Sequence, residues 1–204
     1  MNDFNGETKK LINELSFEQN ITFALTCINR LKQLPKIIIN SGTYAIQYLE
    51  ETQNISPNTI ENILNEITDK INKETLDIKN DEIEEKMEML EKLCVDTEED
   101  GSTEGTLFLN YLMILRHILL YIKDRNCEDI YWCSNNFIDI VDAMEYEKYY
   151  KENENCDDKK IDKYIDLMTK NEMEKQRQII KIIKEGHKKI LVEYVEENKI
   201  EYYK

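Results

Sequence analysis

Apolar side chains recur along this chain at three- and four-residue intervals, in stretches separated by short polar seams. That spacing is the period of a helix with one buried face. A first helix is predicted over residues 7–15. Ser16 then reads as an N-cap, with Gln19 three residues on to close a capping box. In the helix that follows, Phe17, Ile21, Ala24, Leu25, Ile28, Leu31 and Leu34 fall near a 3.6-residue period, and Pro35 either ends it or opens the next one. Residues 36–53 begin with three consecutive isoleucines, which suit a strand. Ala45, Ile46, Tyr48 and Leu49 share a helical face, however, so the stretch is predicted as helix with a bend at Ser41-Gly42. Ser56 caps the next helix and Pro57 takes its first position, with Ile60, Ile63, Leu64, Ile67 and Ile71 as the buried stripe. Asn80 or Asp81 is then expected to cap a helix that buries Ile83, Met87, Leu90 and Leu93 or Cys94.

An acidic linker, residues 95–105, leads into "TLFLNYLMILRHILLYI", residues 106–122. Thirteen of these seventeen residues are apolar or aromatic, but Arg116 and His117 interrupt them. A bilayer helix needs roughly 20 apolar residues, so the stretch is read as the central helix of a bundle. On a helical wheel Asn110, His117 and Asp124 share one line and Arg116 and Lys123 another, with Leu109, Met113 and Leu120 between them. Two readings stay open: a core helix whose polar groups reach the edge or pair internally, and an apolar strip with a polar rim of the kind partner sites use. Asn110, Arg116 and His117 are the candidate buried polar site. Residues 127–150 form a further helix with the sole Trp132, and residues 159–198 form one long helix or two joined near Thr169-Lys170-Asn171. The total is seven or eight helices and no convincing strand. The expected architecture is an all-α, single-domain bundle over residues 1–204 around a central apolar helix.

Composition agrees with this. Only five glycines and two prolines punctuate 204 residues. The formal charge of −15 adds a functional constraint, because such a field repels nucleic-acid phosphates and anionic lipid. No nucleic acid and no membrane are expected as partners. A basic protein is favoured, drawn by the acidic residues Glu82, Glu84, Glu85, Glu88, Glu91, Glu98, Glu99 and Asp100. The five cysteines are odd in number, form no CxxC, and follow an N-terminal "MNDFNGETKK" without an apolar leader; reduced thiols in the cytoplasm are the expectation.

Chemical motifs are sparse. Residues 96–107 match part of a calcium loop through Asp96, Glu98, Asp100, Gly101 and Glu104, but Leu107 replaces the bidentate Glu that completes the shell. Asp139, Asp142 and Glu145 share a helix face without the Glu-x-x-His pairs of two-metal bundles. No metal and no cofactor are expected. A nucleophilic pairing of His117 with Cys94, Cys127 or Cys133 has no local support, and Cys27 sits on a core face where it should be inert.

The segment "LINELSFEQNITFALTCINRLKQLP" resembles the N-terminal signature of the YjaG-like family of uncharacterised bacterial proteins, through Leu15, Phe17, Gln19, Ile21, Thr22, Phe23, Cys27 and Arg30. Residues 105–122 and "IDLMTKNEMEKQRQIIKIIKE" are similar to that family's central and late helices, while residues 72–104 fit least well. The resemblance implies an all-helical bundle, allows a homodimer, and transfers no activity to any residue. The leading functional expectation is therefore an acidic protein-binding domain, in its concrete form an immunity or inhibitor protein that neutralises a basic toxin. The alternatives are an enzyme with a buried bundle site around Arg116 and His117, or a homo-oligomeric housekeeping protein.

Overall fold

A computed structural model describes residues 2–74, 78–94, 101–153 and 157–200. Among these residues the chain forms ten helices and no strand. They are α1 (Asn2–Asn13), α2 (Phe17–Arg30), α3 (Leu34–Ile39), α4 (Tyr44–Gln53), α5 (Pro57–Glu74), α6 (Asn80–Leu93), α7 (Thr103–Asp124), α8 (Cys127–Glu152), α9 (Asp158–Lys184) and α10 (Lys188–Glu197). The all-α bundle is as expected, with two or three more helices than the periodicity suggested.

The additional helices come from breaks. Residues 36–53 are not one bent helix. Pro35 opens α3, and Gly42 adopts φ 65°, a left-handed conformation that stops the backbone ladder before α4 begins. The second break falls at Gly186 (φ 76°) and not near Thr169. Thr169 lies inside α9, where its hydroxyl donates to the Ile165 carbonyl (2.9 Å) and to Asp142 Oδ1 (2.7 Å) on α8. A hydroxyl satisfied in this way does not compete with the helix.

The start signals fare better. Ser16 accepts from the Gln19 amide and Gln19 Oε1 accepts from the Ser16 amide, a complete capping box. Ser56 accepts from the Thr59 amide ahead of Pro57. The cap expected for α6 is absent: Lys79 holds that position, without a side-chain hydrogen bond.

The centre of the molecule is the antiparallel pair α7–α8. α7 also packs on α2, α3, α5 and α6, and α8 on α1, α2 and α9. Between 107 and 122 no residue is exposed and ten of sixteen are buried. α7 is the one helix among the described residues long and apolar enough to cross a membrane by length and composition. Most of its apolar side chains are buried against its neighbours in one continuous core cluster that runs from α1 to α9; Leu109, Met113 and Leu120 are half-buried. Arg125 ends α7 in the left-handed region (φ 57°) and stacks its guanidinium over Phe17 of α2, 3.1 Å from the ring centroid.

Leu115 is fully buried within this cluster. Leu115→Ala is expected to cost about 2–5 kcal/mol, the range for a buried leucine whose site does not collapse. A denaturant melt reads the loss directly, and a value below about 1 kcal/mol would contradict the placement of α7 at the centre.

Candidate functional site

α6 lies along α7 and turns one row of side chains inward. Ile83, Leu90 and Leu93 are buried, and so are the methylenes of Lys86, whose ammonium pairs with Glu66 on α5. Sequence reasoning missed that buried lysine; its position one turn after Ile83 and one turn before Leu90 is the signal that marks it. The opposite row, Glu84, Glu85, Glu88 and Glu91, is exposed. Part of its charge is already met inside the molecule. Glu84 holds Lys123 of α7 (2.9 Å), half-buried Glu82 holds Lys70 (3.0 Å), and Glu85 stands 3.8 Å from Lys86. Glu88 and Glu91 have no ion pair among the described residues. Glu98, Glu99 and Asp100, with the calcium-loop candidate Asp96, lie outside the described residues.

Beside α6, α7 leaves Leu109, Met113 and Leu120 half-buried, flanked by half-buried Asn110, Arg116 and His117. The three polar residues do not converge. Asn110 donates to the Thr106 carbonyl of its own helix (3.1 Å). His117 Nδ1 meets Asp129 Oδ1 of α8 at 2.9 Å. The positive charge of Arg116 acts on the half-buried Cys94 thiol, whose pKa is raised because burial outweighs that charge. On the far side of His117 stands Trp132, stacked at 6.3 Å between ring centroids and 49% exposed. The result is a face formed by three helices: an acidic edge from α6, an apolar strip from α7, and an indole from α8.

The row Asp139, Asp142 and Glu145 on α8 also divides. Asp139 is exposed, Asp142 accepts from Thr169, and Glu145 accepts from the Tyr164 hydroxyl (2.6 Å) on α9. Burial, with the hydrogen bond and charge of Glu145, pushes the Tyr164 phenol up to about 12. No group of three or more His, Cys, Asp and Glu that could hold a metal occurs among the described residues. The thiols Cys27 and Cys133 are wholly buried. Burial pushes Cys27 up to about 12 and Cys133 well above its ordinary value, so both are poor nucleophiles.

The most consequential polar group inside the protein is Arg30, at the end of α2. It is 1% exposed and forms a bidentate pair with Glu172 of α9, which is 2% exposed, at 2.6 and 2.8 Å. Its Nε donates to the Asn198 carbonyl (2.8 Å), and its guanidinium lies 4.6 Å from the Phe137 ring centroid. Burial alone would lower the Arg30 pKa, but the hydrogen bonds and charge of Glu172 prevail and hold it above the ordinary value. One turn further along α9, Gln176 accepts from the buried Ser134 hydroxyl and donates to the Ser134 carbonyl (3.3 Å). In the sequence, Arg30 continues the apolar stripe of Cys27, Ile28 and Leu31, which marks it as facing inward. Nothing local names Glu172 as its partner.

No protein-family model, no curated protein and no solved structure matches the chain. The geometry therefore carries the functional reading.

Glu172→Ala is expected to cost about 3–5 kcal/mol, because it leaves the Arg30 charge buried without its carboxylate. Replacing both partners with apolar residues of similar size should cost clearly less than the two single losses combined. A double-mutant cycle of denaturant melts tests this.

Asp142 gives a pH dependence of definite sign. Burial raises its pKa in the folded protein, aided by Asp139, Asp166 and Glu172, against the opposing hydrogen bond from Thr169. A raised folded pKa means that its favourable contribution is complete in acid and is lost as pH rises through the folded value. Asp142→Asn should therefore melt above wild type at neutral pH. The advantage should vanish in acid below the ordinary carboxylate range, as read by thermal melts across pH.

Proposed function

We propose that this chain is an acidic protein-binding module, and that its partner docks on the face shared by α6, α7 and α8. The carrying observation is the juxtaposition of exposed Glu84, Glu85, Glu88 and Glu91 with the half-open Met113–Leu120 strip and the half-exposed Trp132. An apolar centre with an aromatic anchor and a charged rim is the arrangement that protein interfaces use. The rim and the net charge of −15 select a basic partner and accelerate its encounter. The concrete form of the proposal is an immunity or inhibitor protein whose carboxylates stand in for the phosphates that a basic toxin binds. The alternative of an enzyme with a buried site has less support, since Asn110, Arg116 and His117 each have separate neighbours. A cytoplasmic setting fits the free thiols of Cys27, Cys94, Cys127 and Cys133. The resemblance to the YjaG-like family adds a proposed helix order and no activity.

Trp132 is the sole tryptophan and reports on its own interface. Docking should shift its emission to shorter wavelength, and Trp132→Ala should weaken binding chiefly through faster dissociation. Reversing Glu84, Glu85 and Glu88 to lysine changes the net charge from −15 by six units to −9. Association with the basic partner should slow by roughly tenfold at low ionic strength and lose part of its salt dependence. The fold should survive, since these positions are exposed and the Glu84–Lys123 pair they disrupt is a surface pair. Stopped-flow association at several ionic strengths is the measurement. An unchanged on-rate in the triple variant removes this face from the interface.

A further inference from the structure

On another part of the molecule, bounded by α2, α3 and α5, is a cavity of about 310 Å³ whose floor includes buried Ile28, Leu64 and Tyr111. Its walls carry opposite charges. Lys32 and Lys36 come from the α2–α3 side and Glu61 from α5. None of the three has an ion pair among the described residues, whereas Asp69 at the same rim is held by Lys73 at 2.7 Å. The amides of Asn29, Asn65 and Asn72 supply both donors and acceptors around the mouth. A second cavity of about 450 Å³ shares Asn29, Lys32 and Asn72 with the first and continues between α2 and α10. Its apolar lining is Leu25, Leu191, Val192 and Val195; Thr22, Thr26 and the Glu196–Lys199 ion pair complete it. α10 has no fully buried residue: Leu191 packs half-buried against the core, while Val192 stays exposed.

We propose that these adjoining cavities bind a free α-amino acid with a large apolar side chain. Lys32 and Lys36 are exposed and Glu61 is half-buried, so water meets these charges without a ligand; a pure anion or a pure cation would gain contact with one wall only. A zwitterion satisfies both: its carboxylate meets Lys32 and Lys36, and its ammonium meets Glu61. Burial pushes the Tyr111 phenol up to about 12, with Thr68 beside it, so its hydroxyl remains a neutral group at the floor. The side chain of the ligand then extends past Asn29 and Asn72 toward Leu25, Leu191 and Val195 of the second cavity. The volumes lie in the range of small-ligand sites, about 300–1,000 Å³. This site is separate from the α6–α8 face, and neither proposal depends on the other.

The test is calorimetric titration and thermal melting of the full chain with L-leucine and L-phenylalanine, beside glycine, N-acetyl-L-leucine and L-leucinamide. Leucine and phenylalanine should bind at one site and raise the melting temperature. Glycine should bind at least tenfold more weakly, as should each capped leucine, which lacks one of the two charges. Glu61→Gln should abolish the preference for a free ammonium, and the double variant Lys32→Gln with Lys36→Gln the preference for a free carboxylate. Val192→Asp, at an exposed position, should weaken leucine without affecting glycine. The proposal is overturned if neither leucine nor phenylalanine binds, or if N-acetyl-L-leucine or L-leucinamide binds as well as leucine. The capped ligands are compared on the wild-type protein, so their result does not depend on whether any variant folds.

Discussion

Arg30 ends α2 inside the protein, and a guanidinium in that position must be met by charge and hydrogen-bond acceptors or the fold fails. Glu172 meets it with two bonds, the Asn198 carbonyl takes the third, and Phe137 covers its face. The residues involved belong to α2, α8, α9 and the segment that follows α10. The backbone of that segment also returns a bond, from the Ile200 amide to the Arg30 carbonyl (3.0 Å). A planar fork accepts little angular error, so this one group sets how α2 and α9 lie across α8 and where the chain beyond α10 comes to rest. The Ser134–Gln176 pair extends the same polar seam one turn along α9, between α8 and α9.

Around that seam the α7–α8 pair supplies the hydrophobic contribution. Its inward residues join one core cluster, and the helices that surround it cover different sides. The side of α7 between α6 and Trp132 stays half-open. The proposed docking face therefore rests on the most firmly packed helices of the molecule. An interface on such a support loses little conformational entropy when a partner arrives. The cleft near α10 has the opposite character. Its lining is partly drawn from a helix that reaches the core only through half-buried side chains, Leu191 and Tyr194, and a ligand there would add to the packing of α10.

Much of this was legible in the sequence where the signal is local. The capping box of Ser16 and Gln19, the Ser56-Pro57 start, the stripes of α5 and α7 and the inertness of Cys27 depend on residues a few positions apart. The row Glu84, Glu85 and Glu88 was legible for the same reason, because a helix that turns Ile83 and Leu90 inward turns the opposite side of its wheel to solvent. Local signals were less decisive about where helices stop. Gly42 and Gly186 break the chain, while Thr169 does not, because a carboxylate on another helix accepts its hydroxyl.

By itself, then, the sequence determined an all-helical chain, the inward face of most helices, and an acidic exterior. Those properties follow from a 3.6-residue period, from caps within one turn, and from a sum of charges. Only the tertiary structure decided that Arg30 would find Glu172 across 142 positions, that Lys86 would be buried against Glu66, and that Asn110, Arg116 and His117 would each turn to a different neighbour. The reason is physical: a buried charge chooses its partner by which helices meet and at what angle. That geometry emerges from packing the whole core at once and is not encoded in any short stretch of the chain.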